Sequence, residues 1–215
     1  MLLIYLHTFT CVRIISSLVW NALPDCRQSG GCMSKGFLAL IVAMVFGFWG
    51  LMNSASAQAD EWHMTGSYST DQLRGARVGY RVTDIRLSIL EDWTWLGSPK
   101  LHIEGALNNW QNSNDRSDNV FALTISPVLA WQLTDGPRPL YVEAGIGGSV
   151  LDGTRLGERR LSTRFQFEDR IGLSWQYSAY SNARLTLAYV HYSNADIDSP
   201  NDGLDFFGLT WSNTF

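Results

Sequence analysis

Near the C-terminal end of this 215-residue chain, His191-Tyr192-Ser193-Asn194 is followed by Ser199-Pro200-Asn201-Asp202-Gly203-Leu204-Asp205. A histidine, a serine and a carboxylate this close in sequence are the parts of a nucleophilic site. The imidazole takes the hydroxyl proton, and the acid orients the imidazole. In an extended strand, residues i and i+2 point the same way, so His191 and Ser193 are predicted neighbours on one face. Taken alone the triplet is a weak signal, because a polar pair capping a strand end has the same spacing. Asp196, Asp198, Asp202 and Asp205 also invite a calcium reading, since hard cations prefer oxygen ligands, but their spacing is not that of an EF-hand loop.

The elements that must carry these residues read as strands. Phe165, Phe167, Ile171, Leu173, Trp175 and Tyr177 alternate with Arg164, Gln166, Glu168, Arg170, Ser174 and Gln176. Asp169 is the one polar residue on the apolar face. Phe121, Leu123, Ile125, Leu129 and Trp131 form a second such series, and Leu140, Val142, Ala144 and Ile146 a third. Period-2 alternation of this kind defines half-buried strands. A soluble sandwich would alternate too. Charges at polar-face positions deep inside long strands, with aromatics near strand ends, favour a membrane barrel.

The predicted strands are 62–69, 84–95, 100–110, 119–134, 138–150, 162–177, 184–194 and 204–215, an all-β, eight-stranded antiparallel transmembrane β-barrel. Gly97-Ser98-Pro99, Asp135-Gly136-Pro137 and Ala179-Tyr180-Ser181-Asn182 have turn chemistry. They alternate with longer, more charged segments at 112–118, 152–160 and 195–203. Short turns facing the periplasm and long loops facing outward would produce that alternation. Trp62, Trp93, Trp95, Trp131, Trp175 and Trp211 then gather at the short-turn end as an interfacial girdle. The chain closes on Phe215, like the assembly signal of outer-membrane barrels. Parity puts His191 and Ser193 with Leu185, Leu187 and Tyr189 on the lipid-facing wall, and Asp205 with Phe207, Leu209 and Trp211. Polar groups facing lipid are costly unless near the interface, which raises the weight of the constellation.

The N-terminal region reads differently. Met33-Ser34-Lys35, the apolar run Phe37 to Leu51 and Ala57-Gln58-Ala59 have the layout of a cleaved signal peptide spanning 33–59. Residues 1–32, which hold all three cysteines, are expected to be an over-extended start. Cleavage after Ala59 leaves 60–215 as the enzyme domain, without cysteine, which excludes thiol catalysis and disulfides. Loss of Arg13, Arg27, Lys35 and Asp25 moves the net charge from −4 to about −6, against a nucleic-acid partner.

The C-terminal stretch resembles the PagL-type lipid A 3-O-deacylases. It carries their histidine-x-serine-asparagine motif as His191, Ser193 and Asn194, then Pro200-Asn201-Asp202-Gly203, and an acid twelve positions after the serine, Asp205. Glu143-Ala144-Gly145-Ile146-Gly147, Gly153-Thr154-Arg155 and Phe167-Glu168-Asp169-Arg170-Ile171-Gly172 also look like that family. The resemblance runs from about residue 119 to 215. It implies an outer-membrane esterase that removes the 3-O-linked acyl chain of lipid A (lipopolysaccharide) without metal or other cofactor. Ser193 would be the nucleophile, His191 the general base, Asp205 the orienting acid and Asn201 the oxyanion donor, with Asn194 and nearby backbone N–H groups as second candidates. Well-known members carry glutamate where Asp205 stands, so the shorter acid must come closer, or Asp202 or a water must serve. The family makes a homodimer an open reading, with no surface specified.

Two rival functions stand beside this one: a non-catalytic barrel for adhesion or structure, and a barrel phospholipase or acyltransferase using the same nucleophile. Glu143, Glu168 and Arg170 fall on inward positions and are read as an interior ion network, because eight strands leave room only for side chains. Arg155, Arg159 and Arg160 are read equally as a solvated loop or as a phosphate attractor. His63 and His102 show no ligand pattern.

Overall fold

The computed structural model describes residues 60–85 and 94–214. The predicted signal peptide 33–59, the segment 1–32, Trp93 and Phe215 lie outside the described residues. Ten strands follow in chain order: β1 (Glu61–Tyr68), β2 (Leu73–Ile85), β3 (Lys100–Asn112), β4 (Asn119–Gln132), β5 (Leu140–Leu151), β6 (Arg155–Leu156), β7 (Arg159–Arg160), β8 (Phe165–Gln176), β9 (Arg184–Ser193) and β10 (Leu204–Thr214). Short β6 and β7 pair only with each other; the eight long strands form one closed barrel in which every neighbour is antiparallel. β1 closes the sheet on β10, from Glu61 opposite Thr214 to Tyr68 opposite Phe207.

The barrel is inside-out relative to a water-soluble protein. Glu104, Glu143, Glu168, Arg81 and His63 are buried in the lumen, while Leu107, Ile146, Ile171, Leu187 and Leu209 stand exposed on the outer wall. A continuous apolar exterior of this size needs lipid or a partner to cover it, and a closed barrel leaves no unpaired edge in that setting. At the end where both described termini lie, Trp62 meets Trp211 edge-on at 4.8 Å, Trp211 donates to the Tyr177 hydroxyl at 2.9 Å, and Trp131 donates to the Leu96 carbonyl at 2.7 Å. The expected aromatic girdle is therefore present among the described tryptophans. At the opposite rim, the connections 69–72, 113–118, 152–164 and 194–203 gather above the lumen.

Charge pairing fills the middle of the barrel. Glu104 accepts from Arg77 at 2.6 Å, Arg170 at 2.7 Å and Arg81 at 2.9 Å. Arg81 also reaches Glu143 at 3.0 Å, and Arg77 reaches Glu168 at 2.6 Å. Buried charges need such partners, and the interior network expected for Glu143, Glu168 and Arg170 is what they form. Above it sits an apolar plug of Trp110, Leu151, Leu156, Leu161, Tyr192 and Phe206 among others.

The expected second strand, 84–95, is displaced: β2 occupies 73–85, and the loop before it is 69–72 rather than a long excursion. Residues 94–96 form a 3-10 turn. β2 alternates outward Ala76, Val78 and Tyr80 with inward Gly75, Arg77, Gly79 and Arg81. Arginines at inward positions mimic a loop until their carboxylate partners are known. Residues 86–93 of the expected second strand lie outside the described residues.

Candidate active site

Tyr192, Leu204 and Phe206 are buried in the apolar plug, and the Tyr192 hydroxyl donates to Glu168 at 2.6 Å. Because side chains alternate across a strand, anchoring these inward residues turns their neighbours outward. His191 and Ser193 of β9 and Asp205 of β10 therefore lie on the outer wall, just below the loop-bearing rim. The register sets Asp205 directly opposite His191, and Ser193 opposite Phe167 of β8.

His191 Nδ1 and Asp205 Oδ1 are 2.7 Å apart, each side chain about a third exposed (36% and 35%). A carboxylate only accepts, so Nδ1–H donates and Nε2 is left to take a proton. The Tyr189 hydroxyl donates to the same Oδ1 at 2.5 Å. Asp169 of β8, the one polar interruption of that strand's apolar face, stands across from His191 on its other side. Ser193 is the next outward residue after His191. Among the described residues its hydroxyl has no hydrogen-bond partner, and contacts between nucleophile and base commonly tighten only with substrate in place.

The loop 194–203 is held from two sides. Asn201 Oδ1 accepts the Asn194 backbone N–H at 3.1 Å, and Asn201 Nδ2 donates to Asp196 at 3.1 Å. Asn194 itself turns inward: fully buried, it gives its amide hydrogens to the carbonyls of Leu161 at 3.0 Å and Asp198 at 2.9 Å. Both side-chain hydrogens of Asn194 and its backbone N–H are thus engaged within the protein. Strand parity after Ser193 is the cause.

Asp202 does not meet His191. Its Oδ2 accepts the Arg160 backbone N–H at 2.8 Å, and its own N–H donates to the Arg160 carbonyl at 3.0 Å. Arg159 donates to the Asp202 carbonyl at 2.8 Å and to Asp71 at 2.6 Å, tying three loops together. Its guanidinium is held above its ordinary pKa, first by the hydrogen bond to Asp71 and then, against partial burial, by the charges of Asp71, Asp205 and Asp202. Arg159 is thus part of the rim's scaffold, whereas Arg155 and Arg160 remain exposed. A polar cleft of about 600 Å³ lies among these loops, lined by Asp71, Asn112, Asn114, Glu158, Arg159 and Asp202.

Gly203 and Tyr189 were not singled out by spacing. Gly203 has φ of 65°, and a Cβ there would come within 3.0 Å of His191 Cε1. The signal for Tyr189 was its parity with His191 on one strand.

Comparison with known proteins identifies the family. The lipid A 3-O-deacylase (PagL) family profile matches residues 74–214. A lipid A deacylase PagL from Bordetella bronchiseptica is 38% identical over 111 residues, 52% of this chain and 60% of that protein. The match therefore spans less than two thirds of that relative's length. A second lipid A deacylase PagL, from Pseudomonas aeruginosa, is 29% identical over 129 residues, 58% of this chain and 73% of the relative. A crystal structure of the outer membrane enzyme PagL superposes with a TM-score of 0.57 at 22% identity, covering 71% of this chain and 97% of that one, a likeness of fold. The chain belongs to the lipid A 3-O-deacylase (PagL) family.

Proposed function

We propose that this protein is an outer-membrane esterase that hydrolyses the 3-O-linked acyl chain of lipid A by a serine–histidine–aspartate mechanism. The observation that carries the reading is the 2.7 Å contact between His191 Nδ1 and Asp205 on a lipid-facing wall. A base–acid pair has no structural reason to be built there, where an apolar residue would be cheaper. The rim position fits a substrate held in the outer leaflet, reached laterally, so no deep cleft is needed.

In this mechanism Ser193 Oγ attacks the ester carbonyl while its proton passes to His191 Nε2. The C–O bond to the sugar breaks, and the released hydroxyl takes that proton. A water then attacks the acyl-serine, giving its proton to His191, and the fatty acid leaves as Ser193 is regenerated. Asp205 keeps Nδ1 protonated and stabilises the imidazolium. Asn201, its amide fixed between Asn194 and Asp196, has one N–H left for the tetrahedral oxyanion; such a donor can lower a barrier by about 3 kcal/mol. Residues 33–59 would export the chain and be removed.

The reading is tested by mass spectrometry of lipid A incubated with the refolded protein. Loss of one 3-linked hydroxyacyl chain supports it. Fatty acid released from phospholipid alone would make the protein a phospholipase, and unchanged lipids of both kinds would leave a non-catalytic barrel.

A further inference from the structure

We infer that Tyr189 is a positioning residue for the reaction, holding the Asp205 carboxylate in the one orientation that serves His191; this rests on the triad reading above. Tyr189 and His191 are two apart on β9 and share the outer face. Asp205 lies opposite His191 and Phe207 opposite Tyr189, so Tyr189 and Asp205 are diagonal neighbours, a spacing that long aromatic side chains bridge. The tyrosine hydroxyl and the imidazole both end on Oδ1 of Asp205, at 2.5 and 2.7 Å.

The direction of approach matters. β9 runs toward the rim, so Tyr189 comes at the carboxylate from the apolar side of the wall, away from the rim. A short aspartate on this wall would otherwise turn toward the hydrated rim, where Arg159 supplies positive charge. The ring is in turn braced by Phe207, centroids 5.4 Å apart at 51°. The simpler account is an interfacial tyrosine whose hydroxyl takes the nearest acceptor. That account predicts no effect on the acid's work.

Tyr189→Phe separates the two, because it keeps the ring and its contact with Phe207 and removes only the hydroxyl. Rates are normalised to the folded fraction, read from the heat-dependent gel mobility of the barrel. The expected result is a fall in kcat of about tenfold with KM unchanged, the size of one lost hydrogen bond to a charged group. On an Asp205→Asn background the same substitution should have no further effect, since there is no carboxylate left to hold. Undiminished kcat in Tyr189→Phe, or equal losses on both backgrounds, would overturn the role. If Asp205→Asn itself left the rate intact, the triad reading would fall, and the tyrosine's role with it.

Discussion

Asp202 and Asp205 lie three residues apart, and only Asp205 touches His191, whereas Asp202 accepts the backbone N–H of Arg160. The sequence left both open as the orienting acid. Their different partners follow from strand parity: Asp205 is an outward residue of β10, and Asp202 belongs to the loop clasped by the β6–β7 hairpin.

Asp205→Asn should therefore lower kcat by roughly a thousandfold, as expected when an orienting acid is neutralised and the imidazole tautomer is no longer fixed. Asp202→Asn keeps an acceptor for Arg160 and should change kcat less than about threefold. Steady-state rates on purified lipid A with the two variants check this. The reverse ranking would reassign the acid.

Gly203 sits between these two carboxylates with φ of 65°. An alanine there would be strained, and its Cβ would press on His191 Cε1 at 3.0 Å and on the Tyr192 carbonyl at 3.2 Å. Gly203→Ala should cost about 1–3 kcal/mol of local strain, seen as a tenfold or greater fall in kcat. The barrel should still fold, because the glycine lies outside the long strands. Wild-type kcat in this variant would show that the imidazole has room the structure does not give it.

Much of this was legible in the chain. The alternation read as strands 119–134 and 162–177 matches β4 and β8 to within three residues at each end, and the outward parity of His191, Ser193 and Asp205 followed from their apolar strand-mates. β2 was not legible in its place. Arg77 finds Glu104 and Glu168, partners 27 and 91 residues away in sequence, and a local pattern cannot register such pairings. Tyr189 read simply as a lipid-facing aromatic, since its tie to Asp205 depends on the β9–β10 register. The inward turn of Asn194 was not legible either, because a motif names the residue and not the face it occupies.

The lumen network supplies a test of stability apart from catalysis. Glu104 is fully buried and meets Arg77, Arg81 and Arg170. Glu104→Ala would leave three guanidinium groups short of a shared partner, a loss of about 3–5 kcal/mol by the behaviour of broken buried ion pairs. Urea unfolding in detergent should show a clearly lower midpoint, whereas Arg159→Ala at the exposed rim should shift it little. Equal shifts would mean that the network does not hold the barrel.

The most direct test of the central claim is mass spectrometry of lipid A treated with wild-type protein and with Ser193→Ala. The account predicts loss of one 3-linked hydroxyacyl chain with the wild type and intact lipid A with the variant, folded to the same extent. A Ser193→Ala protein that still removes the chain would contradict it.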